Sequence, residues 1–317
     1  MKIQGAYNCV LAGVYNDLVH NHQLSFSFEQ VALQPGYFQL DRWNHWLVIP
    51  NPQLVIESFL RYIGAELIFP DLQDVQQAEQ VIRGRLSRGD IVPIAINLRH
   101  SVLDPVPFDS DNWNFQLITR QLDDHTFEMF DMYHSQCYKA TSEQVHRMIC
   151  TPFNERLGGF TPCPVVQLHD GELTRTRLAE SDLFTLYLDT INSYDLPYNL
   201  DQSRQWLQAV KHTFTGLSVD RMYEYVYRLM GHQMLIVKSR TEFADFLATH
   251  LGDRYAQQLK EWGGRWMELV NGIPKKLYRG ATDEGMQQLE EELVLLLEWE
   301  SAILSQASTY LRGGERC

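Results

Sequence analysis

The hydrophobic periodicity of the chain changes near residue 170, and this change limits the folds that the chain can adopt. Before that point, short helical patterns are mixed with apolar, β-branched runs such as residues 90–98 and 126–133. From Thr176 onward, apolar residues recur at intervals of three and four. Alternating and β-branched runs favour strands, whereas a 3.6-residue period favours helices. The sequence therefore predicts an α+β fold, with one domain over residues 1–168 and a helical domain over residues 169–317.

The order of elements in the first part indicates antiparallel pairing. Residues 115–122 and 126–133 flank Asp123-Asp124-His125, which is typical of a hairpin turn. Helical patterns precede these strands, so the order does not alternate as in a βαβ protein. In the second part the predicted helices cover residues 177–192, 201–213, 220–238, 241–250, 255–270 and 284–311.

Composition excludes several classes of function. The net charge of −13 argues against a nucleic-acid-binding protein, because phosphate recognition relies on clustered Lys and Arg. No apolar run approaches the roughly 18 residues needed to cross a bilayer, and the N-terminus lacks the pattern of a signal peptide. We expect a cytoplasmic protein without membrane or nucleic-acid partners.

The cysteines support neither a disulfide framework nor a structural metal site. They are odd in number, widely spaced, and form no CxxC pair and no Cys/His zinc spacing. No cofactor or metal is therefore predicted. The five are Cys9, Cys137, Cys150, Cys163 and Cys317.

Cys9 stands where a short polar segment gives way to a helical apolar pattern. Val10, Val14 and Leu18 recur at a spacing of four, which predicts that Cys9 lies at a helix N-terminus. Unpaired backbone N–H groups and the helix dipole favour an anion there, and the thiolate is the nucleophilic form of cysteine. The alternative is that Cys9 is a small buried hydrophobic residue.

Several segments resemble one family. Asn8-Cys9 with its apolar helix, then IVPIAINLRHS, then NFQLITRQLDDHTFEMFDMY resemble the papain-like N-terminal domain of the butirosin biosynthesis protein H family. They are similar, more distantly, to cysteine peptidases of the bacteriocin-processing type. The segments RTEFADFLATHLG, WGGRWMELVNGI and LEEELVLLLEWESAIL are similar to the helical region that follows that domain.

The resemblance implies a papain-like cysteine-protease fold and an acyltransferase of natural-product biosynthesis, acting on peptide or polyketide intermediates. Cys9 would move an acyl group from an acyl or peptidyl carrier-protein thioester to a small amine. Asp131 would orient the base, and Gln4 or the backbone N–H of Cys9 would stabilise the oxyanion. Gln4 lies five residues before Cys9, one fewer than is usual, and its alternative interpretation is an exposed residue near a terminus.

The chain departs from the family at the base. Asn114 stands where the family has its histidine, and an amide cannot act as a general base near pH 7. Cys9 would then act without a dedicated base, or the site would be inactive and kept for binding, as in a degenerate scaffold protein. A third alternative is that a loop histidine supplies the base, namely His100, His125 or His134.

Overall fold

The computed structural model describes residues 3–6, 8–43, 46–48, 52–103, 105, 113–149, 162–251, 253–278 and 283–313. Its contacts divide the chain into two compact units. The first comprises Met1–Ala32 and Ile56–Ser181, and the second comprises Leu33–Val55 and Asp182–Cys317. These units are defined by contacts and not by independent folding, so the domain boundary between residues 168 and 169 stays a prediction.

The first unit combines helices with small antiparallel sheets, which is consistent with the predicted α+β class. Its helices are α1 (Cys9–His20), α2 (Phe28–Ala32), most of α3 (Pro52–Ile63), α4 (Val75–Ser87) and α5 (Ser142–Ile149). Its strands are β3 (Ala65–Ile68), β4 (Val92–Asn97), β5 (Trp113–Gln121), β6 (Thr126–Asp131), β7 (Gln136–Thr141) and β8 (Val165–Leu168). Two short strands of the second unit, β1 (Asp41–Trp43) and β2 (Trp46–Val48), precede them in the chain.

The main sheet of the first unit has the strand order β4-β5-β6-β7, and all of its pairs are antiparallel. Strands β4, β5 and β6 confirm the three predicted strands. The predicted hairpin turn is also confirmed, and the His125 N–H donates to the Asp123 carboxylate at 2.8 Å. Strand β7 was not predicted. It follows a turn in which Ser135 has a φ of 53°. This left-handed conformation is uncommon for serine and is not predicted by the sequence pattern.

Different helices cover the two faces of this sheet. On one face, Ile94, Ile118 and Met129 share a buried cluster with Ile82 of α4 and Met148 of α5. On the other face lies α1. A Cβ atom on Gly13 would lie 3.7 Å from Cδ1 of Phe115 and 3.6 Å from Cε of Met132. Helix α1 therefore packs against the face of β5 that carries Phe115.

A buried ion pair fixes α1 to its surroundings. The Arg85 Nη2 atom lies 3.0 Å from Oδ1 of Asp17, and both side chains are buried. The backbone N–H of Val166 donates to the other carboxylate oxygen of Asp17 at 3.1 Å. Burial raises the pKa of Asp17, and the charge of Arg85 and the Val166 N–H offset part of this effect.

A second polar cluster joins α4 to α5 nearer the surface. Glu79 accepts hydrogen bonds from Arg83 and from the hydroxyl of Ser142, and it lies 2.6 Å from Nε2 of His146. Burial alone would raise the pKa of Glu79. These hydrogen bonds and the charge of Arg83 outweigh burial, so the pKa of Glu79 is lowered.

The second unit is mainly helical. Its helices are α7 (Leu183–Asn192), α8 (Leu196–Thr215), α9 (Val219–Leu251), α10 (Asp253–Tyr278) and α11 (Asp283–Gly313), and the helix before them, α6 (Gly171–Glu180), belongs to the end of the first unit. The predicted helix over residues 177–192 is in fact two helices. The first helix, α6, ends at Glu180, and the side chain of Asp182 caps the start of α7.

Two predicted helices, 220–238 and 241–250, are a single helix, α9. The junction residue Arg240 is buried and pairs through Nε with the buried carboxylate of Glu300 in α11. Its guanidinium also stacks over the ring of Phe38, with 4.5 Å between Cζ and the ring centroid. These tertiary contacts hold the helix together where the local pattern predicted a break.

Candidate functional site

Helix α1 begins at Cys9, as predicted. The side chain of Asn8 caps the helix, and its Oδ1 accepts hydrogen bonds from the N–H groups of Val10 and Leu11 at 3.1 and 3.2 Å. These are two of the backbone donors that an uncapped helix N-terminus would offer to an anion. The cap therefore satisfies donors that were expected to stabilise a Cys9 thiolate.

The sulfur of Cys9 accepts a hydrogen bond from a strand. The backbone N–H of Phe115 in β5 lies 3.3 Å from Cys9 Sγ. Phe115 pairs with Ala95 of β4, and the Ala95 N–H donates to the carbonyl of Pro162 and not to β5. In an antiparallel pair of this kind, the N–H groups of both residues point away from each other, so the Phe115 N–H points away from β4. Its natural partner would be β6, but β6 ends at Asp131, opposite Gln116. Cys9 thus supplies the acceptor that a longer β6 would have provided.

The thiol of Cys9 is held in its protonated form. Although part of the residue's surface is exposed, burial of the sulfur, with a smaller contribution from the charge of Asp131, raises the pKa of Cys9 to about 12. The hydrogen bond from Phe115 acts in the opposite direction and is too weak to reverse the effect. The backbone N–H groups of Cys9 and Val10 at the helix terminus also lower the pKa of Cys9, as expected, but burial outweighs them and the thiol is not activated.

Asn114 lies on the other face of the sheet from α1. It pairs with Ile96, which belongs to the cluster beneath α4 and α5. Residues paired across antiparallel strands share a face, and neighbours along a strand face opposite ways. Phe115 therefore faces α1, and Asn114 faces away from it. Asn114 is 8 % exposed, and its Oδ1 has no hydrogen-bond partner among the residues that the structure describes.

Asp131 is buried and lies on the same face as Asn114. Its Oδ2 accepts a hydrogen bond from Nε2 of Gln116 at 2.7 Å, and Gln116 accepts one from the hydroxyl of Tyr138. Its Oδ1 accepts the backbone N–H of His134 at 2.9 Å and lies 3.3 Å from Nδ1 of that histidine. Asp131 does hold an imidazole, as an orienting group would.

Gln116 and Tyr138 were missed by the sequence analysis. Gln116 is polar between the apolar residues Phe115 and Leu117 and lies two residues after Asn114, so it shares a face with Asn114. That alternation was a usable signal for Gln116. Tyr138 lies in β7, the strand that was not predicted.

Gln4 is fixed beside α1 by its backbone. Its N–H donates to Oδ1 of Asn16 at 3.0 Å, and Nδ2 of Asn16 donates to the carbonyl of Gln4 at 2.8 Å. The side-chain amide of Gln4 donates to the carbonyl of Gly5 at 2.8 Å. The amide is thus turned onto the adjacent backbone, and its role as an oxyanion donor stays a prediction.

The three candidate histidines lie in turns. His100 is exposed at the end of a 3₁₀ turn, Leu98–His100, and His125 is exposed in the β5–β6 hairpin. His134 follows β6 and is 39 % exposed. Among the residues that the structure describes, no imidazole forms a hydrogen bond with Cys9 Sγ.

The space between α1 and the sheet is small. A cavity of about 10 Å³ is lined by residues including Val10, Gly13, Phe115 and Val166. A volume of about 10–15 Å³ holds one water molecule. This cavity therefore cannot receive an acyl group without movement of α1 or of the sheet.

Other kinds of site find no support in the described ranges. They contain no group of three or more His, Cys, Asp or Glu side chains able to hold a metal ion. None of their helices combines the length and the apolar character that a membrane span requires. In comparisons with known proteins, the chain matches no protein-family model and no curated sequence.

Proposed function

We propose that the first unit is a papain-like module in which the cysteine has a structural role, and that the protein acts by binding rather than by acyl transfer. The observation that carries this proposal is the hydrogen bond from the Phe115 N–H to Cys9 Sγ at 3.3 Å. A nucleophilic cysteine is activated by a base beside its sulfur or by a lowered pKa. In the described part of this chain, the sulfur instead meets a backbone donor, and its pKa is raised.

The opposite orientation of the polar side chains supports the proposal. Asn114 and Asp131 face α4 and α5, whereas Cys9 belongs to the helix on the other face. The thiol, with its pKa raised to about 12, is almost entirely protonated at neutral pH. The first unit thus keeps the helix and sheet of the expected fold while its sulfur is used in packing.

The partner that we propose is an acyl or peptidyl carrier protein bearing a thioester. This choice rests on the resemblance of the two halves of the chain to the butirosin biosynthesis protein H family. The protein would hold the loaded carrier as a scaffold in natural-product biosynthesis, and a separate enzyme would transfer the acyl group to its amine.

Intact-mass spectrometry after incubation with an acetyl-loaded carrier protein tests the non-catalytic role. Peptide mapping should find no more acetylation on Cys9 than on the exposed Cys137, which reports background chemistry. Acetylation that Cys9→Ser abolishes and Cys137→Ser preserves would overturn this role.

Calorimetry tests the binding role. A carrier protein with an amide-linked, non-transferable acyl group should bind wild type and Cys9→Ser with affinities that agree within about twofold, because Cys9 does not touch the thioester in this account. Absence of saturable binding would overturn the scaffold role.

Acyl transfer through Cys9 is the second candidate, and the Asp131–His134 pair favours it. In this alternative, His134 takes the Cys9 proton and the sulfur attacks the thioester carbonyl. The carrier thiol leaves as the old C–S bond breaks, and it receives that proton. An amine then attacks the acyl-cysteine carbonyl, and the bond between that carbonyl and Cys9 Sγ breaks. The proton that the amine loses goes to the released Cys9 sulfur.

The second candidate has its own discriminating variant. His134→Gln should slow acylation of Cys9 about 100-fold or more, the range for removal of a general base. His125→Gln, in the exposed hairpin turn, should leave the rate unchanged. Equal rates in both variants would contradict a role for His134.

A further inference from the structure

A polar cavity of about 330 Å³ lies within the second unit, between the end of α7 and the last turns of α11. Its position is independent of Cys9 and of the proposed carrier-protein role. The α11 residues that line it are spaced as one stripe along the helix. The polar lining residues are Asn192, Tyr194, Ser301, Ser305, Ser308, Thr309 and Arg312.

The lining of this cavity is largely polar. Earlier in α11, Leu289, Leu293 and Leu297 belong to the buried core, and Leu304, Ala307 and Leu311 continue that buried side in the last turns. Ser301, Ser305 and Ser308 lie beside it and line the cavity. Short hydroxyl side chains leave the gap open and line it with hydrogen-bonding groups.

The hydrogen bonds at the cavity leave donors available. Oδ1 of Asn192 accepts from the hydroxyl of Ser308 at 3.1 Å and from Nη2 of Arg312 at 3.0 Å. The amide oxygen is therefore occupied, and within the described residues the Nδ2 group of Asn192 and the Nε of Arg312 have no acceptor. Ser308 is 7 % exposed, so one wall of the cavity is fixed in the interior.

The charge of the lining has a single sign. Among the described residues, Arg312 is the charged residue that lines the cavity, and no carboxylate of theirs lines it. Guanidinium and amide N–H groups recognise the oxygens of carboxylates and phosphates. The volume lies at the lower end of the range of about 300–1,000 Å³ for small-molecule sites.

We infer that this cavity binds a small metabolite with an oxyanion group, a carboxylate or a phosphate, and with hydroxyl groups. Arg312 and the Asn192 amide contact the anion. Ser301 and Ser305 contact the hydroxyls.

Calorimetric titration of the full chain with glycerol 3-phosphate and with glycerate tests the inference and distinguishes the two anions. We expect saturable binding of at least one, which Arg312→Gln weakens about 10- to 100-fold through the loss of a charge-assisted hydrogen bond. Arg204→Gln is the matched control, because Arg204 is exposed on α8 and pairs with Glu290 outside the cavity. It should leave the affinity unchanged.

A second variant separates binding from stability. Ser305→Leu places an apolar side chain in the cavity at an exposed helix position, so it should abolish binding while the melting temperature stays near that of wild type. The alternative role of Arg312 is to interact with the negative ends of α7 and α11. Equal affinity in wild type and Arg312→Gln, or no binding of either compound, would overturn the inference.

Discussion

Replacing Cys9 with alanine tests whether its sulfur has a structural role. Cys9→Ala removes the acceptor for the Phe115 N–H, and Phe115 is a buried residue in the middle of the first unit's sheet. Cys9→Ser keeps an acceptor at nearly the same place. Cys137→Ala is the matched control, because that thiol is exposed on β7.

The magnitude follows from the contact that is lost. A buried donor left without a partner costs about 1–3 kcal/mol, and removal of an atom of this size from a packed site costs about 0.8 kcal/mol. The residue's partial exposure allows water to reach the vacated donor, which reduces the first cost. We therefore expect Cys9→Ala to lower the free energy of unfolding by about 2 kcal/mol. Cys9→Ser should lower it by less than half as much.

Urea denaturation followed by circular dichroism measures these differences, and hydrogen exchange at the Phe115 amide localises them. Exchange at this amide should accelerate in Cys9→Ala and stay slow in Cys9→Ser. Residues in active sites are often neutral or stabilising when removed, because function is retained at some cost in stability. A Cys9→Ala variant as stable as wild type, with unchanged exchange at Phe115, would refute the structural role.

Two further predictions concern the polar clusters of the first unit. Asp17→Asn should lower the free energy of unfolding by about 3–5 kcal/mol, since it removes the closest counter-charge of buried Arg85. Urea denaturation measures this loss. The control variant, Arg88→Gln at an exposed arginine, should change the free energy of unfolding by less than about 0.5 kcal/mol. A loss below 1 kcal/mol for Asp17→Asn would contradict the importance of this pair. Because the pKa of Glu79 is lowered in the folded state, its contribution is present above the ordinary pKa of 4.5 and is lost as the pH falls below that value. Melting temperatures measured between pH 6 and 3 should therefore fall less steeply in Glu79→Gln than in wild type, and parallel curves would contradict the assignment.

Features that depend on neighbours in sequence were predictable from the chain alone. The start of α1 at Cys9 follows from Asn8 and the apolar repeat behind it. Helix α5 begins at Ser142 and spans a short amphipathic segment, Ser142–Ile149, that the local sequence favours. In both places the local propensities and the tertiary contacts agree.

Features set by distant contacts were not predictable. The continuity of α9 depends on Arg240 and its buried partner Glu300, which lies 60 residues further along the chain. Strand β7 forms through pairing with β6 after a turn with an unusual conformation at Ser135. Neither cause appears in a local pattern.

At the candidate site, too, features set by neighbours in sequence were predictable and features set by distant contacts were not. Alternation in β5 separates polar Asn114 and Gln116 from apolar Phe115 and Leu117, so the sequence contains their grouping into faces. It does not show which helix covers each face. Helix α1 covers the face with Phe115, so Asn114 lies on the opposite face, and a shared role of Cys9 and Asn114 stays a prediction.

The rate of alkylation of Cys9 by iodoacetamide tests most directly whether its thiol is protonated and structural. A pKa of about 12, against 9.0 for an unperturbed thiol, lowers the thiolate fraction about 10³-fold at neutral pH. The greater nucleophilicity of a more basic thiolate recovers about 10- to 30-fold of this loss, for a Brønsted coefficient of about 0.4–0.5. Peptide mapping of native protein at pH 7.5 should therefore show Cys9 labelled about 30- to 100-fold more slowly than glutathione, and equally fast only after unfolding in urea. Labelling of native Cys9 as fast as glutathione, or faster, would contradict the account.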